Sequence, residues 1–225
     1  MKKATKTTKT ARILHNLRAA YPDAHVELHW NTPFQLLAAT ILSAQCTDKR
    51  VNLVTPALFA KYPTVESFAD ADIHDLETLI KSTGFYRNKA KFIKHSAQKI
   101  LADYGGHVPH TMHDLLTLPG VARKTANCIL GTVYKTSEGI IVDTHVLRVS
   151  KRLGLTNANS PAAVERSLMA CVPKNNWYEF ATLMVWHGRY TCIARKPNCP
   201  QCPLQTLCPS AEKFYPDATF SRKEI

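Results

Sequence analysis

Lys124 is the residue with the most chemical promise in this chain. It stands in Leu118-Pro119-Gly120-Val121-Ala122-Arg123-Lys124-Thr125-Ala126-Asn127. An apolar helical pattern precedes this string at Met112, Leu115 and Leu116, and another follows at Ile129, Leu130 and Val133. Pro119 and Gly120 punctuate the junction, so the spacing predicts a helix, a tight hairpin and a second helix. The second helix opens with unpaired backbone N–H groups and the positive end of its dipole. Gly120 has no Cβ, so another chain can approach the hairpin closely. Such a corner binds anions, phosphate above all, and Arg123 and Lys124 add charge to it. A free lysine has a pKa of ~10.4, and stripping its proton at pH 7 costs about 4.6 kcal/mol. A helix N-terminus and a neighbouring arginine both disfavour the charged amine and lower that cost. An activated lysine is a nucleophile for Schiff-base chemistry.

Two further constellations could carry chemistry. In Val142-Asp143-Thr144-His145, Asp143 precedes a helical pattern at Val146, Val149 and Leu153. An aspartate there is an N-cap, worth ~1 kcal/mol. Near the C-terminus, Cys192-x6-Cys199-x2-Cys202-x5-Cys208 puts four thiols within seventeen positions. A zinc ion and a [4Fe–4S] cluster both take four thiolates, and spacing alone does not separate them. The total of seven cysteines is odd, and four of them cluster, which points to a metal site in a reducing compartment rather than a disulfide framework. Cys46, Cys128 and Cys171 lie outside the cluster and read as buried thiols.

The elements that must position these groups are helical throughout. Residues 8–21 carry Ile13, Leu17, Ala20 and Tyr21 on one face, ending at Pro22. Asn31-Thr32-Pro33 starts a helix that is apolar nearly all round from Phe34 to Leu42, hence buried. Thr47 or Asp48 caps the next helix, which Pro56 should kink or split. A helix from Asp72 to Lys81 closes at Gly84. Phe85-Tyr86-Arg87-Asn88 reads as a loop, followed by a helix through Phe92, Ile93, Ala97, Ile100 and Leu101 to Gly105-Gly106. After the hairpin pair and the Asp143 helix, Ser160-Pro161 starts a helix to about Val172, and Trp177 to His187 makes the last. Period-2 alternation and internal repeats are missing, so the expectation is an all-α protein of roughly ten helices.

Taken together, the hairpin with its lysine, the aspartate and the cysteine spacing resemble the endonuclease III family of DNA glycosylases, from about Thr8 to Cys208. The hairpin string is then that family's helix-hairpin-helix. The resemblance implies two helical domains with the DNA cleft between them. One is a helical barrel over residues 26–136 with the helix-hairpin-helix. The other joins 1–25 to 137–225 and holds an iron–sulfur cluster. By the same resemblance, Lys124 attacks C1′ of a damaged nucleoside, the base leaves, and the imine to the opened sugar allows β-elimination on the 3′ side. The catalytic aspartate corresponds to Asp143, whose fixed charge stabilises the positive charge that builds on the sugar. Cys192, Cys199, Cys202 and Cys208 become ligands of a [4Fe–4S] cluster, and Arg195 and Lys196 lie on a loop that meets phosphates. The glutamine of Leu42-Ser43-Ala44-Gln45 fills the gap left by a flipped base, and Phe85 wedges beside it, where leucine is common in the family. Leu118, Gly120, Ala122 and Arg123 belong to the phosphate-gripping hairpin. The family usually has glycine where Ala122 stands, and alanine at that point is unfavourable if φ must be positive.

The composition agrees with this picture. The net charge of +12 and pI of about 9.5 favour a polyanionic partner. Lys2, Lys3, Lys6, Lys9 and Arg12 read first as a solvated basic tail, with an electrostatic arm on DNA as one alternative and a short transit peptide, disfavoured by lysine in place of arginine, as the other. Apolar runs of the ~20 residues that a membrane span needs are absent. The implied protein is a monomer of the bacterial cytoplasm and nucleoid, acting on duplex DNA that carries an oxidised or ring-saturated pyrimidine or an abasic site. Two other readings compete. A superfamily relative that removes mispaired adenine usually lacks the lysine, and Lys124 argues against it. A non-catalytic DNA-binding module needs neither Lys124 nor Asp143.

Overall fold

The computed structural model describes residues 3–216, with side chains from Lys6 onward. Among the described residues it contains helices and turns, and no strand. The chain divides into two compact units, one formed by residues 26–136 and the other by residues 1–25 with 137–225.

In the unit of residues 26–136, α2 (Pro33–Leu42) is the central element. Thr32 caps it by accepting from Gln35 N–H, and Pro33 occupies its first turn. Leu36, Leu37, Ala38, Ala39 and Leu42 are fully enclosed. They pack against α3 (Asp48–Lys61), α6 (Tyr86–Tyr104) and α8 (Arg123–Val133). Thr47 caps α3, which runs unbroken through Pro56 rather than splitting there. Pro56 lies on the exposed face, where its ring and missing N–H meet water rather than core.

A short helix that the periodicity does not reveal, α4 (Val65–Asp70), comes next, held by a Thr64–Ser67 capping box. It buries Phe68 against Phe34, Phe59 and Tyr62. Asp72 caps α5 (Ile73–Ile80), which gives way to a 3₁₀ turn, Lys81–Thr83, and then Gly84. The expected loop after Gly84 is shorter than predicted, because Tyr86, Arg87 and Asn88 already belong to α6. α7 (Met112–Leu115) leads into the hairpin before α8.

The other unit has its own core around Ile13, Leu17, Val146, Val149, Phe180 and Met184. It is built from α1 (Lys3–Ala20), α9 (Thr144–Arg152), α10 (Pro161–Met169), α11 (Trp177–Tyr190) and α12 (Ala211–Phe214). From Lys6 onward the basic N-terminal segment is not a solvated tail. Helix α1 begins at Lys3, and Lys9 is buried with its Nζ donating to Leu153 O at 2.7 Å. Lys6 Nζ donates to Leu155 O at 3.1 Å. Both lysines meet carbonyls at and just past the C-terminal end of α9, where helix acceptors lack partners and the dipole is negative. Lys2 lies outside the described residues, as do 217–225 of the C-terminal extension.

Candidate active site

The hairpin between α7 and α8 is closed by Val121 N–H donating to Leu118 O at 3.1 Å. Gly120 takes φ +76°, which glycine adopts without strain. A Cβ there would stand 2.7 Å from the Phe92 ring, so the turn is seated directly on α6. Leu118 is only 2% exposed, so its side chain belongs to the core and the residue offers the hairpin its backbone alone. Ala122 is the N-cap of α8 with φ −97° and ψ 169°. That is ordinary extended backbone, so the expected cost of alanine at this position does not arise. Arg123 and Lys124 are the first two residues of α8, both exposed, beside its open N–H groups. Lys124 thus stands on the first turn of an 11-residue helix, at the mouth of the hairpin.

Two loops of the same unit carry the other predicted contacts. Gln45 is exposed and has φ 53°. Phe85 has φ 48°, caps α6, and is 65% exposed. A core role for either side chain is therefore excluded. Non-glycine residues in the left-handed region are strained by roughly 1–2 kcal/mol each. Among the described residues only one other, Lys135, shares this conformation.

In the second unit, Asp143 caps α9, its Oδ1 accepting from Val146 N–H at 2.8 Å. His145, on the first turn, packs on α11, where a Cβ on Gly188 would come 2.8 Å from His145 Cβ. Arg148 Nη2 donates to Gly188 O at 2.8 Å and to Cys192 O at 3.1 Å. Burial and the nearby Arg152 charge pull the Arg148 guanidinium pKa down, against the opposing effect of Cys192 and Asp143. These contacts lock the helix that begins at Asp143 to α11 and to the cysteine loop.

Cys192, Cys199, Cys202 and Cys208 line one pocket, together with Arg152 and His187. Burial, with the other three thiols adding repulsion, pushes the Cys202 thiol up to about 12. Four such thiols ionise together only when a cationic centre compensates them. Donors already point at sulfur: Arg152 Nη1 reaches Cys192 Sγ at 3.2 Å, and Leu204 N–H reaches Cys202 Sγ at 3.4 Å. Burial also pushes His187 down to about 4, so its ring is neutral. Its Nδ1 is 3.1 Å from Tyr21 Oη and its Nε2 3.7 Å from Cys202 Sγ. Among the described residues, no three His, Cys, Asp or Glu side chains close on one point as a single-ion site would require. Arg195 and Lys196 are exposed on the loop between the first two cysteines, whose backbone Arg152 holds through Ile193 O and Ala194 O. Of the cysteines outside the cluster, Cys171 is buried, whereas Cys46 and Cys128 are half-buried, short of the full burial expected. Sequence reasoning missed Arg148 and Arg152, because arginines on a helix carry no pattern that distinguishes a buried clamp from a solvated face.

Comparison with known proteins bears on this arrangement. Residues 38–174 match the family model for the HhH-GPD superfamily base excision DNA repair protein. Endonuclease III of Synechocystis sp. is 52% identical over 211 residues, covering 94% of this chain and 96% of that protein. Endonuclease III of Bacillus subtilis is 45% identical over 194 residues, covering 86% and 88%. A solved structure of a trapped endonuclease III–DNA covalent intermediate, an estranged-adenine complex, is 42% identical, with a TM-score of 0.84, covering 95% of this chain and 98% of that one. The chain belongs to the endonuclease III family, within the HhH-GPD superfamily of base excision DNA repair proteins.

Proposed function

We propose that this protein is a bifunctional DNA glycosylase and abasic-site lyase that removes oxidised or ring-saturated pyrimidines from duplex DNA. The observation that carries the reading is Lys124 itself, exposed on the first turn of α8 directly after the hairpin. The hairpin N–H groups and Arg123 hold backbone phosphates, which positions the strand without reading its sequence. Lys124 Nζ, once deprotonated, attacks C1′ of the damaged nucleoside. The C1′–N bond breaks, and the base departs with the electron pair and is protonated. The negative charge of Asp143 opposes the positive charge that builds on the sugar as the base leaves. Ring opening leaves an imine between Lys124 and C1′. The imine acidifies the C2′ proton, whose loss expels the 3′ phosphate. Water then releases the lysine. Gln45 and Phe85 fill the stack that the flipped nucleotide vacates, and the aromatic Phe85 can stack on a base where an aliphatic residue only wedges.

The four cysteines fit a [4Fe–4S] cluster. Their thiols line one pocket and need a cation to ionise, and four thiolates are the ligand set of such a cluster. The cluster would cross-link the C-terminal loops. Arg195 and Lys196 would then meet phosphates from a fixed loop. Elimination moves no net electrons, so the lyase step asks no redox work of the cluster.

Borohydride trapping on duplexes with thymine glycol or an abasic site tests the reading. A covalent adduct forms with the wild-type protein and disappears in Lys124→Ala, while DNA binding persists. Trapping at the wild-type level in that variant would remove Lys124 from the mechanism.

A further inference from the structure

Lys89, on the first turn of α6, is a buried lysine without an acidic partner. It is 3% exposed, and among the described residues no carboxylate lies within salt-bridge distance of it. Burial lowers its pKa, with the nearby Cys46 opposing this, so the fold keeps it at some electrostatic cost. The ammonium donates to Leu42 O and to Thr83 O, each at 2.8 Å. Leu42 is the last residue of α2, and Thr83 ends the 3₁₀ turn. Both oxygens are therefore terminal carbonyls that their own helices leave unpaired.

Each carbonyl also stands at the base of a loop with an unusual backbone. Gln45 comes three residues after Leu42, and Phe85 two residues after Thr83. These are two of the three left-handed non-glycine residues among those described. Both side chains are exposed. Strained backbone persists only where its surroundings over-determine it. One cation joins the bases of both loops, and the residue that carries it opens the helix for which Phe85 is the cap. A solvated lysine, or a simple helix cap, would touch one carbonyl and leave the other to water.

We infer that Lys89 is a positioning residue for base extrusion: it ties the Gln45 loop to the Phe85 loop, so that the two side chains enter the DNA stack as one unit. This rests on the proposed gap-filling roles of Gln45 and Phe85. The ammonium touches no reacting atom. Its effect falls on the opening of the duplex and leaves the imine chemistry at Lys124 unaltered.

Single-turnover base release by Lys89→Met, which is one atom shorter, stays unbranched and removes the charge and donors, tests the inference. The lesion is placed opposite a pairing base, and in a second duplex opposite a tetrahydrofuran abasic analogue, where extrusion costs little. The expected result is a loss of about tenfold or more on the paired lesion and less than about threefold on the unpaired one. Gln45→Ala and Phe85→Ala should show the same split. Combining either with Lys89→Met should give less than the product of the separate losses, as for residues acting through one another. Equal losses on both duplexes would make Lys89 merely structural and overturn the inference. So would a Lys89→Met variant at the wild-type rate while Gln45→Ala and Phe85→Ala are slow. If those two variants are themselves unimpaired on the paired lesion, the gap-filling reading fails and the inference with it, which is a separate and recognisable result. Lys89→Gln, a shorter neutral donor, replaces Lys89→Met if the latter does not fold. Hydrogen exchange supplies a readout that does not depend on activity. Amides of residues 43–46 and 83–86 should exchange faster in either variant, with residues 118–124 unchanged. Uniform acceleration across residues 26–136 would refute the tie.

Discussion

Asp143 caps α9, and the charge role proposed for it is a second, separate job; a pair of substitutions tells the two apart. Its Oδ1 accepts Val146 N–H at 2.8 Å, which needs an oxygen but not a charge. The proposed stabilisation of the departing base's sugar needs the charge. Asn caps a helix about as well as Asp, so Asp143→Asn keeps the hydrogen bond and loses only the charge–dipole part, about 0.3–1 kcal/mol. Asp143→Ala loses the cap as well, for a total of about 1–2 kcal/mol. Catalysis should obey the opposite logic. Removing a fixed group aimed at developing charge costs about 2.7–4 kcal/mol, or 10²–10³ in rate, by analogy with lost oxyanion-hole donors. Both variants should therefore be slowed by about the same large factor, although only Asp143→Ala is clearly less stable. Single-turnover release of thymine glycol gives the rates, and urea unfolding followed by circular dichroism gives the stabilities. An Asp143→Asn protein that works at the wild-type rate would show that the carboxylate acts only as a cap. An alanine variant far slower than the asparagine variant would show that geometry, not charge, is what the residue supplies.

The contacts lead to three further outcomes. Gly188→Ala should destabilise by about 1–2 kcal/mol in urea, although alanine gains ~1 kcal/mol of helix propensity, because its Cβ would lie 2.8 Å from His145 Cβ; a stabilised variant would refute the packing argument. Arg195→Ala should weaken binding to all duplexes alike and reduce the slope of log K against log salt by about 0.9, measured by fluorescence anisotropy; an unchanged slope would take this residue off the phosphates. The Tyr62–Asp75–Lys61 cluster should make stability fall at both pH extremes. Lys61 first, then Tyr62, holds the Asp75 carboxyl below its ordinary range, so its contribution is present above about pH 4 and lost as pH falls through the lowered value. Burial first, then the hydrogen bond to Asp75, pushes Tyr62 up to about 12, so its contribution is present below about pH 10 and lost as pH rises to about 12. Asp75→Asn should abolish the acid arm in urea unfolding followed across pH, and an acid arm that persists in that variant would assign it elsewhere.

The helix boundaries that were legible in the sequence are those written by local chemistry. Thr32 with Pro33, Thr47, Ser160 with Pro161 and Asp143 each announce a start, because a cap needs only its own side chain and the next turn. The hairpin was legible for the same reason. Helix α4 was not, since six residues show little periodicity and its capping box uses Ser67 rather than Glu or Gln. The left-handed backbone at Gln45 and Phe85 was hidden, because neither residue type announces positive φ. The inward-turned lysines were hidden most completely. Buried Lys9 and Lys89 and half-buried Lys6 all take carbonyl partners that are distant in sequence or belong to another element, and a sequence pattern sees only a polar residue where water is expected.

The sharing of one compact unit between the two ends of the chain sets an order of assembly during synthesis. Residues 26–136 are continuous and can close their own core as soon as they have emerged. Helix α1 precedes them but finds its partners only much later. Lys9 waits for Leu153, and Arg18 waits for Glu179, separations of 144 and 161 residues. At 5–20 residues per second, that interval is roughly 7–30 s. For all that time the segment must neither aggregate nor attach to the wrong core. Its run of lysines and threonines, which gives it the look of a tail, keeps it hydrated while the rest of the unit is being made. The first helix in the sequence is thus among the last to be placed.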